Sequence, residues 1–297
     1  MKNAIFKGSA AAVVTPMDEN GNLDMKAMEN LLKFQLEHGT DAIVVNGTTG
    51  ESSTLEEKEK LELIEFVVHY VNHRVPVIMG TGSNCTAHAV RMSRKAQSLG
   101  ASGLLVVTPY YNKASQQGLV EHFQAVADNV EIPIILYNVP TRTGVNVEPE
   151  TYLKLSKHPN IQAVKEANAS ISHVARVAAL CGDCLDIYSG NDDLTVPIMA
   201  LGGKGVISVL ANIMPFEMHM MCRHFLDGEI EKSKNMQLEL LKIMNAMFMD
   251  VNPLPVKAAM AMLGLCGEHY RLPMTRLDEA KREKLREIME SYFVQLQ

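Results

Sequence analysis

The chain has 297 residues, enough for one large domain or two modest ones. Hydrophobic residues make up 47% and charged residues 21%, as in ordinary globular proteins, which excludes a disordered or fibrous chain. The net charge is −6 with no long run of Lys or Arg. No apolar run reaches the ~18 residues that a membrane-spanning helix needs. Neither nucleic acid nor a membrane is therefore expected as a partner.

The cysteines and the first residues bear on the compartment. Five cysteines, an odd number in a long chain, argue against a disulfide framework and predict a cytoplasmic protein. The segment MKNAIFKGSAAAVVTP has a short, β-rich apolar stretch that runs directly into a turn. We interpret it as a first strand rather than a signal peptide.

Short apolar runs alternate along the chain with longer amphipathic runs. Such short runs are typical of parallel strands that are buried on both faces. Eight strands are predicted, at residues 10–15, 42–46, 75–80, 103–108, 132–137, 161–165, 185–189 and 205–209. Asp24 is predicted to cap a helix that ends at Gly39. Thr54 and Glu57 are predicted to form a capping box before the next helix.

Strict alternation of eight strands with helices predicts an α/β fold of the (β/α)₈ type, the closed TIM barrel. A doubly wound open sheet is the alternative, but it usually has fewer strands, and the first turn here lacks a glycine-rich dinucleotide fingerprint. After residue 229 only helical patterns remain. The predicted organisation is a catalytic barrel over residues 1–229 and a C-terminal helical appendage over residues 230–297.

In such a barrel, reactive side chains lie at the carboxyl ends of the strands and in the loops that follow. Lys165 ends the sixth predicted strand, so it is expected to point into the barrel mouth rather than into solvent. Its position alone leaves two interpretations open. It is either a buried, ion-paired structural lysine, or a desolvated amine whose neutral form attacks a ketone to form a Schiff base.

Other residues at the same mouth suit Schiff-base chemistry. Tyr137 ends the neighbouring strand, where its hydroxyl could shuttle protons. Thr48 and Thr49 follow the second strand, and their flanking glycines offer exposed backbone N–H groups suited to a carboxylate. Arg142 lies in a predicted loop and could bind a second carboxylate through two hydrogen bonds. Taken singly, the tyrosine could serve only packing and the arginine only the surface, but their convergence favours a functional site.

Two further patterns are interpreted as structural. Cys181 and Cys184 form a C-x-x-C without a second pair or a following histidine, on the side of the barrel away from the mouth. His69 and His73 have the spacing of an HExxH zinc motif, but Tyr70 stands where the glutamate is needed. No cluster of Asp, Glu and His resembles a metal site, so neither a metal nor a cofactor is expected.

Six motifs together resemble the pyruvate-dependent class I aldolases related to N-acetylneuraminate lyase, and within them the dihydrodipicolinate synthase family. The motifs are GTTGE (47–51), YNVPTRTG (137–144), VKE (164–166), SGNDD (189–193), GGKGVIS (202–208) and NPLPVKAA (252–259). The resemblance covers essentially the whole chain, in order. It implies a lyase that condenses pyruvate with L-aspartate 4-semialdehyde, the first committed step of diaminopimelate and lysine biosynthesis.

The resemblance also implies catalytic roles. Lys165 would carry the pyruvate imine, and Tyr137 would donate and accept protons. Thr48 and Tyr111 would complete a hydroxyl relay, with Tyr111 coming from a neighbouring subunit. A homodimer or homotetramer is therefore implied.

Four residues are expected to bind the substrates by the same resemblance. Thr49 would hold the pyruvate carboxylate and Arg142 the carboxylate of the semialdehyde, while Gly190 and Ile207 would line the pocket. The sialic acid lyases resemble GSTGE in the first motif and typically lack the arginine. The remaining alternatives are N-acetylneuraminate lyase, another 2-keto acid aldolase, or a ligand-binding barrel without catalysis.

One departure from the family concerns feedback by lysine. Lysine-inhibited members typically have histidines after the first motif and a glutamate after the third strand. This chain has Glu57, Lys60 and His88 at the corresponding positions, although Asn84 and Tyr110 fit the effector pattern. The site therefore lacks a carboxylate that would pair with the cationic lysine effector, so we expect weak or absent inhibition by lysine.

Overall fold

The computed structural model describes residues 4–293, and its strands close into a parallel barrel in which β8 pairs with β1. The strands are β1 (Gly8–Ala12), β2 (Ala42–Val45), β3 (Val77–Gly80), β4 (Gly103–Val107), β5 (Ile134–Asn138), β6 (Ile161–Glu166), β7 (Asp186–Ser189) and β8 (Gly205–Ser208). Each predicted strand is present. The prediction of a (β/α)₈ barrel is confirmed, and the open sheet is excluded.

Helices surround the barrel and continue beyond it. They are α1 (Met25–Glu37), α2 (Glu57–Val71), α3 (Thr86–Ser98), α4 (Gln116–Ala127), α5 (Pro140–Thr143), α6 (Pro149–Leu155), α7 (Ile171–Cys181), α8 (Thr195–Ala200), α9 (Pro215–Leu226), α10 (Ile230–Ala246), α11 (Leu254–Met262) and α12 (Glu279–Glu290). Asp24 caps α1 as predicted, because its carboxylate accepts a hydrogen bond from the Ala27 N–H at 2.9 Å. Within the described residues, no helix is long and apolar enough to cross a bilayer.

The first strand ends earlier than its apolar residues predict. The ladder with β2 stops at Ala12, although the buried apolar run continues to Val14. The Val13 N–H still donates to the carbonyl of Val44 at 3.0 Å. The Val14 N–H instead donates to Oδ1 of Asn212 at 3.0 Å. A side chain distant in sequence therefore terminates this strand, which no local pattern indicates.

The predicted capping box at the start of α2 is wrong. The Thr54 hydroxyl donates to the carbonyl of Glu51 at 3.0 Å within a short 3₁₀ turn. The helix begins at Glu57, and its N-cap is Glu56, whose N–H donates to the Glu59 carboxylate at 2.8 Å. A capping box is therefore present, but it lies two residues further along the chain than predicted and is formed by Glu56 and Glu59.

Two hydrophobic clusters lie on either side of the barrel wall. The larger one fills the space between strands and helices. The smaller one is the barrel interior, where Ala10, Ala42 and Ala163 are all fully buried. Phe6, just before β1, stacks on Tyr188 with ring centroids 4.2 Å apart. This aromatic pair, with Phe6 preceding β1, fills part of the barrel interior.

The helices after residue 229 pack on the barrel and on one another. Helix α10 contacts α9, and α12 contacts both α10 and α11. Met244, Met247 and Leu285 of this region belong to the same hydrophobic cluster as the barrel helices. The predicted boundary falls between α9 and α10, and a separate unit over residues 230–297 stays a prediction. The last part of the predicted terminal helix, residues 294–297, lies outside the described residues.

A buried ion pair fastens this appendage to the loop after β2. Lys257 of α11 donates to Oε1 of Glu51 at 2.6 Å, and the two side chains are 0% and 1% exposed. Lys257 also donates to the carbonyl of His269 at 2.6 Å. Because both charges are removed from water, each depends on the other for compensation.

We predict that Glu51→Gln, which leaves the Lys257 ammonium buried without its counter-charge, lowers the free energy of unfolding by about 3–5 kcal/mol. Urea unfolding followed by circular dichroism measures this. Lys26→Ala, which removes an exposed ion pair with Glu29, serves as the control and should barely move the midpoint. Equal midpoints for the Glu51 variant and the unaltered protein would contradict the prediction.

Candidate active site

The register between β5 and β6 places Tyr137 directly opposite Lys165. Both side chains point into the barrel, and Lys165 Nζ lies 4.4 Å from the centroid of the Tyr137 ring. Lys165 is 5% exposed and Tyr137 is 7% exposed. The structure therefore brings together the two residues on which the predicted Schiff-base chemistry depends, at the carboxyl ends of their strands.

The next residues along the same strands, Asn138 and Glu166, point to the other side of the wall because side chains alternate along a strand. Asn138 Nδ2 donates to Oε1 of Glu166 at 2.9 Å. The Tyr152 hydroxyl donates to Oε2 of Glu166 at 3.0 Å, and the Asn168 N–H to Oε1 at 2.9 Å. This fully buried carboxylate joins the ends of β5 and β6 from outside, directly behind Tyr137 and Lys165.

Burial sets the acidity of the lysine. Removal from water lowers the pKa of Lys165 to about 8, because the protein interior disfavours the ammonium. The charge of Asp192 opposes this and that of Arg142 adds to it. Lys165 forms no ion pair with residues 4–293, which differs from the structural, ion-paired lysine that its position left open. A larger fraction of this amine than of an exposed lysine is therefore neutral at neutral pH.

Tyr137 is held in its protonated form and connected to the loop after β2. Burial raises the pKa of its phenol, and the Arg142 charge together with the neighbouring Thr48 side chain partly opposes that rise. A protonated phenol can donate a proton and then accept one back. Thr48, Tyr137 and Lys165 are thus neighbours in the barrel mouth.

The two predicted carboxylate-binding residues meet at Asn252, between α10 and α11. Asn252 Nδ2 donates to Oγ1 of Thr49 at 3.0 Å, and Nη2 of Arg142 donates to the main-chain carbonyl of Asn252 at 3.1 Å. Arg142 lies on the one-turn helix α5 rather than in the predicted loop. The Gly50 N–H, predicted to be free for a carboxylate, donates instead to the carbonyl of Gly47 at 3.1 Å.

Gly190 and Ile207, the two predicted pocket residues, lie just after β7 and on β8. Ile207, on β8, is fully buried in the barrel interior with Tyr137. Gly190 follows β7, and a Cβ atom there would lie 2.7 Å from Cβ of Ala167. Only glycine fits so close to the end of β6, and the backbone of β7 can approach the lysine strand for that reason.

Tyr111 is the one predicted site residue that the structure leaves apart from the others. It is 90% exposed, in a left-handed conformation with φ of +72°. Within one chain it contributes nothing to the environment of Lys165. Its side chain is therefore accessible to a partner.

Sequence reasoning missed two buried groups near the mouth. Asp192 accepts hydrogen bonds from the N–H groups of Val209 and Leu210, and its charge acts on Lys165. Asn252 stands in the quoted NPLPVKAA motif, and Asp192 in SGNDD, so only the resemblance could have indicated them. No group of three His, Cys, Asp or Glu side chains within residues 4–293 could hold a metal ion.

We predict that the reactivity of Lys165 toward cyanate, which modifies neutral amines, reaches half its maximum near pH 8. The amine is protonated and unreactive below that pH and free above it. Peptide mass spectrometry after timed exposure measures the rate at each residue. Asp192→Asn should move the midpoint to lower pH, because it removes the charge that favours the ammonium. A Lys165 rate that still rises above about pH 10, as expected for exposed Lys26, would contradict this.

Comparisons with known proteins agree with this geometry. The chain matches the Dihydrodipicolinate synthetase family over residues 5–292. The 4-hydroxy-tetrahydrodipicolinate synthase of Caldicellulosiruptor saccharolyticus is 54% identical over 292 residues, which cover 98% of this chain and 99% of that relative.

Solved structures show the same likeness. The dihydrodipicolinate synthase of Aquifex aeolicus superposes with a TM-score of 0.96 at 43% identity, covering 98% of this chain and 100% of the other. The chloride-inhibited synthase of Acinetobacter baumannii in complex with pyruvate gives 0.94 at 40% identity, covering 96% and 98%. The fold, the strand-borne Lys165–Tyr137 pair and these matches agree, and the chain belongs to the dihydrodipicolinate synthetase family.

Proposed function

We propose that this chain condenses pyruvate with L-aspartate 4-semialdehyde to give 4-hydroxy-tetrahydrodipicolinate, the first committed step of diaminopimelate and lysine biosynthesis. The single observation that carries the proposal is the buried amine of Lys165 beside the Tyr137 phenol, in a chain that is 54% identical to a synthase of that name. The enzyme is a class I aldolase-type lyase that works through a Schiff base.

Lys165 begins the reaction as a nucleophile. Its neutral amine attacks the ketone carbon of pyruvate, and the ketone oxygen leaves as water once it has received protons. The resulting iminium withdraws electrons, so a proton leaves the adjacent methyl group and an enamine forms. The enamine carbon attacks the aldehyde of the second substrate. The amino group of that substrate then displaces Lys165 from the iminium carbon, which closes the ring and frees the amine.

Tyr137 and Thr48 move the protons that these steps require. The Thr48 side chain lies close enough to the Tyr137 phenol to influence its pKa. A hydroxyl relay passes protons without leaving a fixed charge beside the iminium. The high pKa of the Tyr137 phenol suits a group that must return to its protonated form after each transfer.

Two separate groups bind the two carboxylates. Thr49 holds the pyruvate carboxylate, supported by its buried position two residues before the anchored Glu51. Arg142 binds the carboxylate of the semialdehyde, supported by its exposed position at the rim of the mouth and its contact with Asn252. Gly190 and Ile207 line the pocket between them.

Tyr111 acts in the site of a neighbouring subunit, so the enzyme is a homodimer or homotetramer. The 90% exposure of this tyrosine supports an intermolecular role. Sedimentation velocity measures the assembly directly, and a monomeric protein with full activity would contradict it. A cytoplasmic location is part of the proposal, supported by the five cysteines, all of which are free thiols.

We predict that aspartate semialdehyde, and not N-acetylmannosamine, is the second substrate of this enzyme. Arg142→Ala should reduce kcat/KM for aspartate semialdehyde about 10- to 100-fold, the effect of losing hydrogen bonds from a charged group. The KM for pyruvate should change little, because Thr49 holds that carboxylate. A coupled steady-state assay with each aldehyde measures both constants.

Arg94→Ala, at an exposed position on α3, is the matched control and should leave both constants unchanged. Faster turnover with N-acetylmannosamine would favour a sialic acid lyase. Pyruvate binding without turnover of either aldehyde would favour a non-catalytic barrel.

We also predict that sub-millimolar L-lysine leaves the steady-state rate unchanged. The Glu57 carboxylate already pairs with Arg91 at 3.0 Å and Lys95 at 2.6 Å, and these hydrogen bonds lower its pKa to about 2. A ring nitrogen of His88 is in turn 2.8 Å from the Arg91 guanidinium. A lysine effector would face these cations, and no unpaired carboxylate of Glu57 would be left to bind its ammonium group. Strong inhibition in the same assay would show that lysine binds by other contacts.

A further inference from the structure

Asn252 touches both side chains that bind carboxylates in the proposed reaction, although it belongs to the helical appendage. It lies between α10 and α11 and is only 6% exposed. Its side-chain Nδ2 donates to Oγ1 of Thr49 at 3.0 Å. Its main-chain carbonyl accepts from Nη2 of Arg142 at 3.1 Å. The contact to Thr49 depends on the asparagine side chain, whereas the contact to Arg142 does not.

The bond to Thr49 determines where that hydroxyl points its proton. A hydroxyl has one proton to donate and two lone pairs to accept with. Asn252 Nδ2 occupies a lone pair, and the Thr49 hydroxyl donates no hydrogen bond to residues 4–293. The proton is therefore left for a ligand, and an anionic acceptor such as a carboxylate is the partner that a buried donor favours.

The other side-chain atom of Asn252 does not compete with this arrangement. Oδ1 is buried and has no hydrogen-bond partner in the described part of the chain. The bond to Thr49 is thus what orients the amide within residues 4–293. A carboxylate at this position would instead offer only acceptors, and the Thr49 hydroxyl would turn its proton toward it.

Asn252 also restrains the side chain of Arg142. Its side chain is exposed, and a free arginine loses rotamer entropy when it binds a ligand. The hydrogen bond to the Asn252 carbonyl holds one N–H of the guanidinium before substrate arrives. The remaining N–H groups stay available for a carboxylate at the rim.

We propose that Asn252 is a positioning residue that sets the hydrogen-bond direction of Thr49 and holds Arg142, so that the appendage prepares both carboxylate sites of the barrel. The inference rests on the proposed function, because it takes pyruvate as the ligand of Thr49. It makes the loop between α10 and α11 part of substrate recognition.

The test is the steady-state behaviour of Asn252→Asp in the full-length enzyme. The substitution keeps size and shape but replaces the donor by an acceptor and adds a negative charge. The KM for pyruvate is expected to rise about tenfold or more, as for loss of one hydrogen bond to a charged group, while kcat at saturating pyruvate falls far less. A purely structural role would lower kcat or the amount of folded enzyme without this split.

A second substitution shows whether the effect passes through Thr49. Thr49→Val alone should also raise the KM for pyruvate, because the donor is gone. In the Thr49→Val enzyme, Asn252→Asp should then raise the KM for pyruvate by a clearly smaller factor than in the unaltered enzyme. The reason is that Asn252 acts through the Thr49 hydroxyl, which is no longer present. Full additivity of the two changes would overturn the inference.

Asn245→Asp makes the same chemical change at an exposed position of α10 and is the matched control, expected to leave the KM for pyruvate unchanged. If circular dichroism shows that Asn252→Asp does not fold, Asn252→Ala decides: a raised KM with kcat retained supports the inference. An unchanged KM for pyruvate in the folded variant would overturn it. An unaltered enzyme that does not turn over pyruvate at all would contradict the proposed function instead.

Discussion

The register between β5 and β6 is the constraint on which the site depends. It sets Tyr137 opposite Lys165 inside the barrel and, one residue later, Asn138 opposite Glu166 outside it. A slip of β6 by one residue would exchange the faces of Lys165 and Glu166, putting the buried carboxylate in the mouth and the amine in the helix layer. The hydrogen bonds that Glu166 accepts from Asn138, Tyr152 and Asn168 are satisfied only in the observed register. The polar cluster outside the wall thus secures the reactive pair inside it.

Removal from water turns that pair into a reactive one. An exposed lysine is protonated at neutral pH, but burial brings the pKa of Lys165 to about 8 and raises that of the Tyr137 phenol. The same burial thus supplies a nucleophilic amine and a phenol that keeps its proton. Asp192 moderates the shift, since its buried charge favours the ammonium and would equally favour the positively charged iminium. The barrel interior provides this environment because the residues that line it with Tyr137 are apolar and buried.

The parts of the structure that repeat were predictable from the sequence, while those that depend on distant contacts were not. Eight buried apolar runs identified the strands, and strand ends identified Lys165 and Tyr137, because the barrel fold places strand ends at one face. The end of β1 depends on Asn212, some 200 residues away in the chain. The cap of α2 depends on the preceding turn, in which the Thr54 hydroxyl already donates to Glu51.

The binding residues show the same division. Thr49 and Arg142 were predicted from their residue types and loops, and the structure adds that one appendage residue, Asn252, contacts both. Helical periodicity after residue 229 predicted the appendage but did not indicate that the loop between α10 and α11 reaches the barrel mouth. Tyr111 was expected to work between subunits from the family resemblance alone, and in the single chain it is exposed.

Trapping of the imine tests the central claim most directly. The protein is incubated with pyruvate and sodium borohydride, which reduces an iminium to a stable amine, and the modified peptide is mapped by mass spectrometry. We expect a pyruvate-derived adduct on Lys165, absent without pyruvate and absent in Lys165→Arg, with Lys257 unmodified in its buried ion pair. No adduct, or an adduct confined to another lysine, would contradict the assignment of Lys165 as the Schiff-base residue.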